Sequence, residues 1–111
     1  MRVIYIAGPY RAATPYLVEQ NIRSAEAMML AVAELGLTAL CPHTMTRFID
    51  GTGTDEYWLA ATLELMRRCD AVLLCYGWER SAGTLGELAE ARAMGLPVYE
   101  TVFELAATVA A

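Results

Sequence analysis

"CDAVLLCYGWERSAGTLGELAEA", residues 69 to 91, decides the fold. Its core, "AVLLC" at 71–75, is apolar at every position. A strand with one wet face alternates apolar and polar residues, whereas a continuously apolar one is covered on both faces, as in a parallel sheet between helices. The stretch from about Gly83 to Met94 reads as a helix closed by Gly95. Strand and helix in that order set the pattern for the rest of the chain.

Outward from this segment the same alternation continues. "RVIYIA" at 2–7 is a β-branched and aromatic run stopped by Gly8-Pro9, hence a first strand. From Leu17 to Leu35, Ile22, Ala25, Met28, Met29 and Val32 recur with helical period, and Gly36 stands where a C-cap belongs. "LTALC" at 37–41 is a second strand ended by Pro42, and 42–54 reads as a long polar loop. Thr54 or Asp55 can cap a helix whose face carries Leu59, Leu63 and Met66. "PVYE" at 97–100 is a fourth strand, and "TVFELAATVA" at 101–110 a short last helix, an apolar tail whose Val102, Phe103 and Leu105 have little left to cover and point to self-association. Four strands alternating with helices form an α/β doubly wound parallel sheet with right-handed crossovers. The expected order is 2-1-3-4, flavodoxin-like, in one domain over 1–111.

Composition narrows the function classes. With 111 residues, 57% apolar and 19% charged, the chain makes one packed core and is not disordered. No apolar run approaches the roughly 20 residues that span a bilayer, and "MRVIYIAGPY" lacks the features of a signal peptide. A cytoplasmic protein is expected. Cys41, Cys69 and Cys75 show no CxxC spacing and read as buried free thiols. A net charge of −5 speaks against nucleic acid, which wants a basic face. All eight basic residues are Arg, which suits phosphate or carboxylate but also follows from genome composition.

In such sheets ligands bind beyond the carboxyl ends of the strands, at the switch in strand order. That rule collects Gly8, Pro9, Tyr10 and Arg11 after strand one, Pro42 and His43 after strand two, and Tyr76 to Ser81 after strand three. Glu87 falls in the first turn of the following helix, where two readings compete. Thr84-Leu85-Gly86-Glu87 fits a capping box, worth about 1 kcal/mol. Gly86 costs a helix roughly as much again. Together with Gly83 it strips the rim of side chains, as a site with a close-lying ligand needs. From the pattern alone the two readings stand level.

"YIAGPY" at 5–10, "CDAVLLCYGWERSAGT" at 69–84, "GELAEA" at 86–91 and "GLPVYE" at 95–100 resemble the nucleoside 2-deoxyribosyltransferase superfamily over nearly the whole chain. The branch resembled is its small members, related to the 2′-deoxynucleoside 5′-phosphate N-hydrolases. The resemblance implies a flavodoxin-like fold, a Glu nucleophile at Glu87, and a phosphate-binding Ser at Ser81. It further maps the opening Tyr and Gly onto Tyr5 and Gly8, and the first-loop Arg onto Arg11. It implies a homodimer or higher homo-oligomer in which the partner subunit completes the site. Two positions depart from the family. Thr62 falls near its sugar-binding acid, and Pro9 stands where the hydrolases carry a Ser.

Chemically, a carboxylate under C1′ stabilises an oxocarbenium-like sugar and can trap it, with Tyr5 orienting Glu87. The free N–H groups near Gly83 and Thr84, with Ser81, suit a phosphate at a helix N-terminus, and Ser81 reads equally well as a plain turn or cap residue. His43 contacts a base or phosphate, or is bonded to backbone. Tyr10 and Trp78 stack on a nucleobase or pack inside. Asp70 reads as a turn or cap residue, and Glu79 and Arg80 as solvated. The expected activity is N-glycosidic cleavage of a nucleoside 5′-monophosphate, without cofactor or metal. The alternatives are a 2-deoxyribosyltransferase or a nucleotide-binding module without catalysis. A receiver domain is rejected, because Ala7-Gly8 and Cys75-Tyr76 stand where its acidic residues belong. "GTLGE" also resembles the GTxxE of lysine-decarboxylase-like phosphoribohydrolases, but their preceding Pro-Gly-Gly is absent.

Overall fold

A computed structural model describes residues 1–49 and 51–109. The elements are β1 (Val3–Ala7), α1 (Pro15–Glu34), β2 (Thr38–Leu40), α2 (Pro42–Met45), α3 (Asp55–Met66), β3 (Ala71–Leu74), α4 (Ala82–Ala93), β4 (Val98–Tyr99) and α5 (Val102–Val109). A 3-10 turn, Trp78–Arg80, precedes α4. All strands pair in parallel in the order β2-β1-β3-β4, the flavodoxin-like order expected from the sequence.

β1 and β3 are the buried centre, and alternation along them divides the core. Ile4, Ile6, Ala71 and Leu73 face one way, with Ala25 and Val32 of α1 and Leu105 of α5. Tyr5, Ala7, Val72 and Leu74 face the other way, with Met66 of α3 and Leu88 and Ala91 of α4. Two covered faces explain why β3 carries no polar residue. The register sets Tyr5 beside both Leu40 and Val72. Asp70 fixes it at the strand start, where its Oδ2 accepts from the Val3 N–H at 2.7 Å. At the other end β1 and β3 crowd together. A Cβ on Gly8 would lie 2.4 Å from Cys75 Cβ, so this position takes only glycine without movement.

Helix starts follow their caps. Thr14 Oγ1 accepts from Leu17 N–H, with Pro15 at the first helical position, so α1 begins before the expected Leu17. Thr54, not Asp55, caps α3 through Tyr57 N–H at 3.0 Å.

Two expectations need correction. The segment 42–54 is not all loop, because Pro42 pre-sets the first turn of α2 and Thr44 Oγ1 bonds back to the Cys41 carbonyl at 2.9 Å. The last helix is not a bare apolar tail either. Leu105 is fully buried and Val102 packs on the core, which leaves Phe103 exposed. Burying a Leu fully is worth roughly 1.5–3 kcal/mol, enough to hold an eight-residue helix against the sheet. No described helix is long and apolar enough to cross a membrane.

Candidate active site

Three strand ends open into one cleft of about 980 Å³. Its wall on the β1 side is Gly8, Pro9, Tyr10 and Arg11, with Pro42 and His43 beside them from α2. The opposite wall is Tyr76, Gly77, Arg80, Ser81, Gly83 and Thr84, and Trp58, Leu59 and Thr62 of α3 close the side. Tyr5 and Glu87 also line it. Every site residue expected from the sequence is therefore gathered here except Trp78. That ring packs against the core with Leu88 and Val72, because the 3-10 turn rotates it inward. Tyr10, offered for stacking from the sequence, does line the cleft, together with the exposed Tyr76 and the half-buried Trp58, which the sequence did not single out. Trp58 is fixed edge-on to Tyr57, with ring centres 5.0 Å apart, and its indole N–H donates to the Thr52 carbonyl.

Glu87 sits in the second turn of α4, not the first. Ser81 is the N-cap: its Oγ accepts from Thr84 N–H at 3.2 Å and from Thr84 Oγ1 at 2.9 Å. The helix thus starts three residues before the Thr84 expected to cap it, and Thr84 is a buried residue inside it. The capping-box account of Glu87 fails on this geometry. Gly86 does not border the cleft, whereas Gly83 does.

What Glu87 does contact is Tyr5. The phenol donates to Glu87 Oε2 from the floor of the cleft. Tyr5 points there because it stands on the α3–α4 face of β1, one residue out of phase with Ile4 and Ile6. Burial raises the Glu87 carboxyl to about 7, against an opposing pull from the Tyr5 hydrogen bond. Burial also drives the Tyr5 phenol far up, helped by the Glu87 charge, so it stays a donor at any physiological pH. A carboxyl poised near neutrality, with one aimed donor, can serve as nucleophile or as acid and base.

His43 is buried, and its Nε2 lies 2.9 Å from the Pro9 carbonyl. A carbonyl only accepts, so Nε2 carries the proton, and burial lowers the ring's pKa to keep it neutral. Its Nδ1 is buried without a hydrogen-bond partner among the described residues. The ring also lies 5.4 Å from that of Tyr10, tilted by 57°. Arg11 is ion-paired to Asp55, a carboxylate 44 positions away that the sequence reading did not connect with it. Thr62 donates to the Leu59 carbonyl of its own helix at 3.1 Å. Asp70 lies at the opposite end of β3 and is structural, as expected. The three cysteines are free and buried. Among the described residues no group of three or more His, Cys, Asp or Glu is placed to hold a metal ion.

The fold is shared with a 2-deoxyribosyltransferase from the psychrotolerant bacterium Bacillus psychrosaccharolyticus, a biocatalyst for nucleoside synthesis. The two superpose with a TM-score of 0.59 at 22% identity, covering 86% of this chain and 69% of the other. No curated protein matches the sequence. Residues 2–101, which hold the whole sheet and both cleft walls, match a family described as a domain of unknown function, DUF7768, and the chain belongs to that family.

Proposed function

We propose that the cleft breaks the bond between base and sugar of a nucleoside 5′-monophosphate, with Glu87 as nucleophile. The observation that carries this is the Tyr5–Glu87 pair on the floor of a cleft of nucleotide size. The 2-deoxyribosyltransferase fold supports it. As the N-glycosidic bond stretches, positive charge gathers on C1′ and the ring oxygen. Ionised Glu87 stabilises that charge and bonds to C1′ while the base leaves with the bonding electrons. Tyr5 holds Oε2, which leaves Oε1 to attack. Water at C1′ then restores the carboxylate and releases the sugar phosphate; a second base in place of water makes the enzyme a transferase.

Ser81, Gly83 and Thr84 supply the phosphate end, at the first turn of α4, where the Ala82 and Gly83 N–H groups lack helical acceptors while Thr84 N–H is held by the Ser81 cap. Gly8, Pro9, Tyr10, Arg11 and His43 form the wall that faces it. The three buried free thiols suit the reducing cytoplasm. A homodimer belongs to the same proposal. Neighbouring helices α3 and α4 leave Tyr57, Leu59 and Leu85 exposed, which gives a second copy an apolar surface to cover.

The deciding experiment is incubation with a panel of nucleosides and their 5′-monophosphates, followed by chromatography for free base. Base released from a monophosphate supports the reading. Thr62, in the cleft near the position of the resembled family's acid, favours a second one, a nucleotide-binding module without catalysis. A raised melting temperature with no free base selects that module.

A further inference from the structure

Two guanidinium groups border the cleft, and their surroundings differ. Arg11 is paired with Asp55, so the two charges cancel at the β1 wall. Arg23, Arg47, Arg67 and Arg68 are likewise paired with carboxylates, as expected in a chain where Asp and Glu outnumber Arg by 13 to 8. Arg80, like Arg2 and Arg92 outside the cleft, pairs with no carboxylate among the described residues, although the cleft it lines also holds Asp55 and Glu87.

Its guanidinium is nevertheless held in place. The central carbon lies 5.6 Å from the centre of the Tyr76 ring, a cation–π contact that occupies one face of the planar group. Gly77 provides the room. Its φ of +86° turns the chain sharply, and a Cβ there would come within 3.2 Å of Arg80 Nη2. The edge of the guanidinium, where its N–H donors lie, remains for a ligand. Ser81 follows directly, and Gly83 shows nothing nearer to its missing Cβ than Ser81 Oγ at 4.0 Å. Among the described residues, then, Arg80 is the cleft cation without a carboxylate partner, and it stands next to Ser81 at the proposed phosphate end.

We propose that Arg80, rather than Arg11, is the specificity-determining residue that selects a substrate bearing a 5′-phosphate monoester. This rests on the nucleotide reading above. Two parallel N–H groups of a guanidinium match two phosphate oxygens, a geometry that lysine cannot reproduce. A phosphate bound there leaves Asp55 on Arg11, whereas a phosphate on Arg11 meets the negative charge of Asp55 beside it. Glu87, held partly protonated near neutral pH by its burial, adds less repulsion toward the anion than an ordinary carboxylate would.

The test is calorimetric binding of 2′-deoxynucleosides and their 5′-monophosphates, with base release followed in parallel. The readout is the ratio of affinities, monophosphate over nucleoside. Arg80→Gln lowers that ratio roughly 10- to 100-fold, the size of a charge-assisted contact. Arg80→Lys recovers only part of it, and Arg11→Gln moves it less than Arg80→Gln. Arg92→Gln, an exposed charge at the far end of α4, leaves the ratio unchanged and controls for net charge. Equal losses on both ligands, a larger effect at Arg11, or a wild-type protein with no preference for monophosphates would each overturn the assignment. If the ratio depends on Arg80 while no ligand releases base, the Arg80 site stands and the glycosidase reading falls.

Discussion

Replacing Glu87 by Gln keeps the side chain's shape and an oxygen for the Tyr5 phenol, and removes only the capacity to ionise. In the folded protein this carboxyl titrates near 7, against 4.5 for an ordinary Glu, because it is buried. Where the pH lies below both values the group is protonated in both states and contributes nothing. As pH rises from 4.5 through 7, the unfolded chain ionises freely while the folded chain resists, so stability is lost across that window. The gap, 7 minus 4.5, at about 1.36 kcal/mol per unit, sets a ceiling of roughly 3 kcal/mol. Partial exposure of Glu87 trims this to roughly 2 kcal/mol. Glu87→Gln is therefore expected to match wild type within about 1 kcal/mol near pH 5 and to exceed it by roughly 2 kcal/mol near pH 8.5. Denaturant unfolding at the two pH values measures both differences. Base release falls by at least about a hundredfold, in line with loss of a nucleophile. A variant that loses equal stability at both pH values and still cleaves at the wild-type rate refutes the reasoning, because the carboxylate would then be a structural partner only.

Other consequences are open to measurement. Tyr5→Phe removes the donor that pulls the Glu87 pKa down, so the rising limb of kcat/KM against pH moves to higher pH, by roughly one unit; an unmoved limb means that Tyr5 does not act on the reacting carboxylate. Gly8→Ala forces a methyl group into Cys75 and costs about 1–3 kcal/mol, measured by denaturant unfolding. Both of its closest contacts are to the Cys75 side chain, so adding Cys75→Gly recovers part of the loss; no recovery would place the strain in the backbone. Light scattering at micromolar concentration gives a particle of at least twice 12.1 kDa, and a 12.1 kDa particle rejects the homodimer.

The sheet and its order were legible because they depend on local pattern. The uninterrupted apolar run of β3 and the stop signals at Gly8-Pro9 and Pro42 are visible residue by residue. The position of Glu87 in the cleft was legible through the resemblance and the strand-end rule together. The misses were decisions between neighbours of like chemistry or facts of long range. Ser81 and Thr84 are both good caps three residues apart, and only packing that buries Thr84 decides for Ser81. Trp78 and Tyr76 flank the left-handed Gly77, and the turn there decides which ring goes inward. Arg11 meets a carboxylate from a helix far along the chain, which no spacing rule announces. Arg80 is exposed, as its solvated reading expected, and the one sequence signal for the role proposed for it is its place immediately before Ser81.

The bond from Asp70 to the Val3 amide lies at the edge of the sheet opposite the cleft, yet the proposed chemistry depends on it. Side chains along a strand alternate faces, so sliding β1 by one residue would turn Tyr5 toward α1 and bring Ile4 or Ile6 over Glu87. β2, three residues long, offers β1 few hydrogen bonds to resist such a slip, so its register rests on the ladder to β3 and on the Asp70 bond at the start of that ladder. A carboxylate that accepts from only one amide at the strand's origin acts as an index mark. It sets which side chains of β1 arrive at the catalytic end, four residues downstream, without ever touching a substrate.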